Sequence, residues 1–244
     1  MKRIIILLIS LFMMTSCVTE DLVMEKISYK RNTLVLNLDR SIGTGFEWSE
    51  VYKSDNLSVD VWKFENQNKD KKVAGGRGVE HIECSVKDNE DSYLILKYAR
   101  SWEHSADYET FIIKSNNNEI IKVEEIKHSF YKDTEVVYTS KDDKELSIEL
   151  LYGYEYMERE DETLGLIIKN NDGQFGIYYN PELINDVNNE IYVKDVHIGD
   201  IDYRLYENET DFYLLGGNGI CCIGEKTLNK LDVIKMLDSV RYEE

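Results

Sequence analysis

Between residue 27 and about 115 the apolar positions recur every second residue. Leu34, Leu36 and Leu38 alternate with Val35, Asn37 and Asp39; Val59 and Val61 alternate with Asp60 and Trp62. Leu94, Leu96 and Tyr98 alternate with Ile95 and Lys97, and Phe111 and Ile113 follow. A period of two is the mark of a strand with one buried face. The interruptions are Ser41–Gly45, Asn66–Lys72, Gly75–Gly78, Lys87–Asp91 and Arg100–Asp107. Most are rich in Gly, Asn and Asp, which suit turns. Short strands at this spacing predict a small β-sandwich or barrel over 27–116.

The pattern breaks at Asn116–Asn118, and the charged run Lys122–Lys127 reads as a bridge. That places a boundary between 116 and 130, with a second domain over 127–244. Its strands are expected at 135–139, 146–152, 164–169, 175–179, 201–206 and 212–215. Asn171-Asp-Gly173 is a hairpin signal between two of them. Near the end the period changes: Leu228, Leu231, Ile234, Leu237 and Val240 fall three apart, as on one face of a helix, with Thr227 as its N-cap. Asp238 and the final two Glu sit at the unfavourable end of the helix dipole, so fraying is expected after Arg241. The fold class is therefore mainly β, a sandwich followed by an α+β domain of antiparallel strands closed by a C-terminal helix. The second part resembles the C-terminal sheet-and-helix modules of Gram-positive lipoproteins, which bears on its fold alone.

The first residues follow another logic. Lys2 and Arg3 precede the apolar run Ile4–Met14, which is too short to span a bilayer and fits the core of a secretory signal. Residues 1–16 read as a signal peptide and 17–26 as a tether. Met14-Thr-Ser-Cys17 resembles the bacterial lipoprotein box, which implies that Cys17 is lipidated. The chain would then be anchored in the cell envelope outside the cytoplasm; without lipidation it would be secreted. The plainer alternative is an ordinary signal peptide beside an accidental Cys.

Charge narrows the partners. The formal net charge is −18, and removal of Lys2 and Arg3 takes two positive charges with it, leaving −20. Such a chain repels nucleic acid and anionic headgroups, so no nucleic-acid partner is expected, and membrane attachment would come from acyl chains. Cys84, Cys221 and Cys222 are too few and too badly spaced for a disulfide framework, though a Cys84 bridge to Cys221 or Cys222 stays open. No spacing suggests a metal site, and no cofactor is expected. Glu158–Glu162 is a carboxylate cluster that reads as a solvated turn or a weak cation site. Enzyme motifs are missing: no nucleophile elbow, no His-Glu-x-x-His, no Gly-rich opening of a helix.

Three loops carry the functional signal. Ser41-Ile-Gly-Thr-Gly-Phe-Glu-Trp48 ends one strand and begins the next. Val73-Ala-Gly-Gly-Arg-Gly78 lies between strands, and Tyr98-Ala-Arg-Ser-Trp-Glu103 places a cation and a Trp where a turn should begin. In order and spacing they resemble the chagasin family, the immunoglobulin-like inhibitors of papain-type cysteine peptidases. Its loops read Asn-Pro-Thr-Thr-Gly-Tyr/Phe, Gly-x-Gly-Gly and Arg-Pro-Trp/Phe. This chain keeps Thr44, Gly45 and Phe46, then Gly75 and Gly76, then Arg100, Trp102 and Glu103. It has Ser41, Ile42 and Gly43 for the family's Asn, Pro and first Thr, Val73 for the leading Gly, and Ser101 for Pro. The resemblance implies an immunoglobulin-like sandwich over about 27–115 and a monomer that binds papain-like peptidases. It also implies a binding set of Gly43, Thr44, Gly45, Phe46, Gly75, Gly76, Arg100 and Trp102. Gly75 and Gly76 would let backbone approach the peptidase thiol. Thr44 would offer its hydroxyl and backbone near the catalytic His, and Trp102 would be a rigid anchor. Arg100 would pair with acids near the cleft or hold its own loop in shape. Ser101, Ser41 and Ile42 in place of the family's residues make loops that cost more to order on binding.

Each residue also has a structural reading. Trp48 and Phe46 suit a core, and Trp102 suits a packing contact on Tyr98. Arg100 suits an ion pair with Asp107 or Glu109, and Gly75–Gly78 a hairpin turn or a phosphate nest. The alternative function is a cell-surface binding or sensing lipoprotein that reuses the scaffold without inhibiting anything.

Overall fold

Alternation in the first half becomes two stacked antiparallel sheets. The computed structural model describes residues 24–67, 75–102, 106–129, 135–139, 145–158, 165–179, 191–217 and 219–243. The expected signal peptide, Cys17, Val73, Glu103 and residues 159–162 of the carboxylate cluster lie outside them. One sheet is ordered β1 (Ile27–Lys30), β2 (Thr33–Ile42), β5 (Gly76–Val86), β4 (Leu57–Asn66). The other is β3 (Phe46–Lys53), β6 (Ser92–Arg100), β7 (Asp107–Asn116), β8 (Glu119–Ser129). Leu34, Leu36, Leu38, Ile82 and Cys84 meet Leu94, Leu96, Phe111 and Ile113 between the sheets, all fully buried.

The stretch read as a charged bridge is the middle of β8. Asn117 and Asn118 have φ of +53° and +58°, and Asn116 pairs with Glu119. Two left-handed residues in a two-residue loop make the tight hairpin whose twist matches its strands, and Asn tolerates that region better than most residues. The break in the pattern is therefore a turn within the sheet. Lys122–Lys127 stays polar because one side of this edge strand faces solvent.

The second half is a seven-stranded antiparallel sheet, a three-stranded sheet and one helix among the described residues. The large sheet runs β11 (Glu155–Glu158), β12 (Gly165–Lys169), β13 (Gln174–Tyr179), β17 (Ile220–Glu225), β16 (Asp211–Gly216), β15 (Ile201–Glu207), β14 (Ile191–Ile198). The small one runs β18 (Arg241–Glu243), β10 (Glu145–Glu149), β9 (Glu135–Thr139). The β12–β13 hairpin turns at Asn170–Gly173, where Asn170 Oδ1 accepts from the Asp172 and Gly173 amides at 2.8 and 3.1 Å.

Helix α1 (Lys230–Asp238) buries Val233, Ile234 and Leu237. Its N-cap is Asn229, not Thr227: Asn229 is extended, and its Oδ1 accepts from the Leu231 amide at 3.1 Å. The expected fraying after Arg241 is replaced by β18, where Ser147 pairs with Arg241 and Leu146 with Tyr242. Asp238 is unfavourable for its own helix, yet it is held from across the molecule. Lys97 Nζ and Tyr108 Oη both donate to Asp238 Oδ2, at 2.9 and 2.6 Å. Burial, then the Asp238 charge, push the Tyr108 phenol well above its usual pKa, which keeps it a donor.

That contact belongs to a larger one. Val51, Tyr52, Ile95, Ala106 and Tyr108 from the sandwich share one core with Leu146, Ile198, Val233 and Leu237 of the second half. The Gly199 amide donates to the Val51 carbonyl at 3.0 Å, and Lys194 pairs with Asp55 at 2.6 Å. The outer face of β3, β6 and the start of β7 is thus covered by the second half, while β8 stays at the open edge of the sheet. Among the described residues Cys84, Cys221 and Cys222 are buried and form no disulfide, with Cys84 in the sandwich core and Cys222 in the shared one. Burial pushes the Cys84 thiol up to about 12.

Candidate functional site

Strand pairing brings the three loops together. The segment 43–45 joins β2 in one sheet to β3 in the other, so it crosses the end of the sandwich. On its β2 side Ile42 pairs with Gly76; on its β3 side Phe46 pairs with Arg100. The first loop therefore lies between the start of β5 and the end of β6. No local feature sets this order; it follows from which strands share a sheet.

Contacts follow from that placement. A Cβ added at Gly43 would sit 3.9 Å from Gly75 Cα, so the two backbones approach closely. Gly43, Gly45 and Gly75 have φ of +79°, +81° and +84°, values that L side chains rarely adopt. Arg100 Nε donates to the Thr44 carbonyl at 2.7 Å, and its guanidinium lies 4.4 Å from the Phe46 ring centre. Phe46 stacks on Tyr98 with centroids 5.1 Å apart, and the Ser41 amide donates to Tyr98 Oη at 3.0 Å. The Trp102 ring covers Gly45: a Cβ there would lie 2.5 Å from Trp102 Cη2. Even so, 68% of Trp102 is exposed.

The eight residues singled out from the sequence thus occupy one end of the sandwich, though in different capacities. Trp102 packs on Gly45, while Tyr98 is covered by Phe46 and Trp48. Arg100 holds the first loop, where the sequence suggested its own, bonding Thr44 and lying over Phe46. Thr44 Oγ1 donates to the Ser41 carbonyl at 2.9 Å, closing the turn and not projecting outward. Trp48 is a strand residue against the sandwich core, its indole donating to the Asp39 carbonyl at 2.9 Å. Gly76 opens β5, so Gly75–Gly78 forms neither a hairpin tip nor a strand-to-helix phosphate loop.

Two residues were missed. Tyr98 is the platform beneath the first loop, and its place at the head of the quoted Tyr98–Glu103 stretch was the available signal. Arg40 bridges Glu80 and Glu47 and lies over the Phe64 ring at 4.8 Å. It thereby ties β2, β5, β3 and β4 together beneath the loops. Glu80 is almost wholly buried; its position on an inward parity beside Leu38 hinted that a cation must meet it. Among the described residues no cluster of His, Cys, Asp and Glu could hold a metal ion.

A family model described as the chagasin family peptidase inhibitor I42 matches residues 29–114, which is β1 through β7. No curated protein and no solved structure matches the chain.

Proposed function

We propose that the protein reversibly inhibits papain-like cysteine peptidases by wedging the 43–46, 75–76 and 100–102 loops into the active-site cleft. The observation that carries this reading is the exposed Trp102 ring on Gly45, in the loop that lies between the other two. A cleft with a thiolate–imidazolium pair on its floor is blocked by a narrow, stiff ridge whose backbone can approach closely and whose peptide bonds are never presented for cleavage. Glycines at 43, 45, 75 and 76 give the ridge its thinness. Arg100, Phe46 and Tyr98 give it stiffness, since a preorganised loop loses little entropy on binding. Trp102 supplies the apolar contact that dominates such interfaces. Arg100 works from within the ridge, with its Nε–H on the Thr44 carbonyl and its guanidinium over the Phe46 ring. The family model that matches residues 29–114 supports the same class of target.

The test is a titration of papain with the purified protein. Reversible, competitive inhibition at submicromolar concentration is the expected result. Trp102→Ala should weaken it about 30- to 1000-fold, the range of a hot-spot truncation, with an unchanged melting temperature because the ring is exposed. No inhibition at micromolar concentration, or an unaffected Trp102→Ala variant, removes the proposal. Attachment through a lipidated Cys17 would place this activity at the outer surface of the membrane. Incorporation of labelled palmitate, abolished by Cys17→Ser, checks that separately.

A further inference from the structure

Helix α1 does not close flush on the seven-stranded sheet. A cavity of about 220 Å³ lies between them, walled mainly by Val196, Ile198, Leu205, Leu214, Val233 and Ile234. None of those residues is more than 5% exposed, so the cavity is an unfilled part of the core. Such a void costs stability unless something occupies it. Roughly 150 Å³ with aliphatic walls is enough for a benzene-sized guest.

The mouth of the cavity is charged. Glu207 and Lys226 pair there at 3.0 Å. Lys230 lies beside them and has no ion-pair partner among the described residues. It also borders a second, larger cleft of about 820 Å³ between the first turn of α1 and the sandwich, which Lys194 lines too. Desolvation, and then the Lys194 charge, lower the pKa of Lys230, against the opposing pull of Glu207 and Asp55, so an anion beside it would relieve the repulsion. Asp55 meets Lys194 from the exposed rim, and Lys230 feels Glu207 and Asp55 only at longer range than an ion pair. In the same cleft Thr110 Oγ1 is buried without a hydrogen-bond partner. The cleft also carries Asp55, Asp88, Glu90, Asp91 and Asp232, so the positive charge is local to Lys226 and Lys230 at the mouth, where an apolar chamber joins a polar vestibule.

We infer that this site binds a single-chain amphiphile, with an apolar tail of about eight carbons in the cavity and a carboxylate or phosphate head at Lys230. The tail is held by burial and the head by charge, so the two ends contribute separately.

Calorimetric titration of the whole protein with straight-chain ligands tests both ends. Affinity should rise about fourfold per methylene from butanoate to octanoate and then level off as the cavity fills. Octanoate or octyl phosphate should bind at least about tenfold tighter than octanol or octylamine; the tighter of the two anions identifies the head group. Lys230→Glu, on the exposed start of the helix, should remove that preference while leaving octanol binding and the melting temperature alone. Ile234→Phe, which fills the chamber, should abolish the dependence on tail length. No binding of either anion at millimolar concentration, no chain-length dependence, or equal octanoate affinity in Lys230→Glu would each overturn the proposal.

Discussion

β2 and β6 are both leucine-alternating strands of the same sandwich, and their burial differs. In β2, Leu34, Leu36 and Leu38 are fully buried while Val35 and Asn37 are half-exposed. In β6, Leu94, Ile95 and Leu96 are all fully buried. Strict alternation reports one covered face; three consecutive buried residues report two. Leu94 and Leu96 face the sandwich core, and Ile95 faces the core shared with the second half. β6, which ends in Arg100, is therefore covered on both faces, whereas β2 is fully buried on one. The second half packs on the sheet that carries Phe46 and Arg100.

The sharpest way to break this comparison is a matched pair of substitutions. Ile95→Asp puts an unpaired carboxylate between two layers and should cost more than about 4 kcal/mol, enough to unfold most of the population. Val35→Asp, one strand type away but on the open face, should cost about 1 kcal/mol. Urea denaturation reads both; similar losses would show that the second half does not cover its sheet.

Next in size is Asp238→Ala. It leaves Lys97 and Tyr108 without a shared acceptor in a site where the Asp238 side chain is 6% exposed, and should cost about 2–3 kcal/mol. The contrasting pair is Lys63–Glu65 on β4 of the open sheet, with both side chains about half exposed. Glu65→Ala should be nearly silent by thermal denaturation.

Gly45→Ala acts on the ridge itself. Its φ of +81° and the overlying Trp102 ring combine a backbone cost of about 1–2 kcal/mol with displacement of the ring. Inhibition of papain should suffer more than the melting temperature. The reverse result would mean that Trp102 is a packing residue.

The smallest effect is a pH dependence. Burial, then the charge of Glu135 across the strand pair, raise Glu149 to about 7. Its carboxyl holds a proton more tightly folded than unfolded. The stability this brings is complete below the ordinary carboxylate pKa and is lost as pH rises through about 7. Glu149→Gln should flatten that slope and raise the melting temperature at pH 8 by about 3 °C.

Much of the fold was legible along the chain. Leu34–Leu38 and the Asn171–Gly173 turn are local signals that became the elements they implied, and the three-residue spacing from Leu228 to Val240 marked a helix that covers only Lys230–Asp238. The misses have local causes too. Asn117–Asn118 looked like an interruption because Asn serves equally in a linker and in a left-handed turn. Thr227 and Asn229 are both good caps, and only the helix start chose between them. β11, β14, β17 and β18 were not anticipated, since short strands in a mixed core do not alternate cleanly. At the candidate site the residues Gly43–Phe46, Gly75–Gly76, Arg100 and Trp102 could be picked out, but not their duties. Arg100 bonding Thr44, Tyr98 carrying Phe46, and Trp102 lying on Gly45 are contacts across 50 residues or more.

By itself the sequence determined the strands, the turns, the closing helix and which side chains a thin, aromatic-tipped ridge has available. Those follow from side-chain period and backbone preference, which act within a few residues. Tertiary structure alone decided that the first loop crosses between sheets and so lies between the other two. It also decided that Asp238 is answered by Lys97 and Tyr108, and that a second layer covers β6. Each of these depends on which distant strands share hydrogen bonds, and no stretch of chain shorter than the fold encodes that.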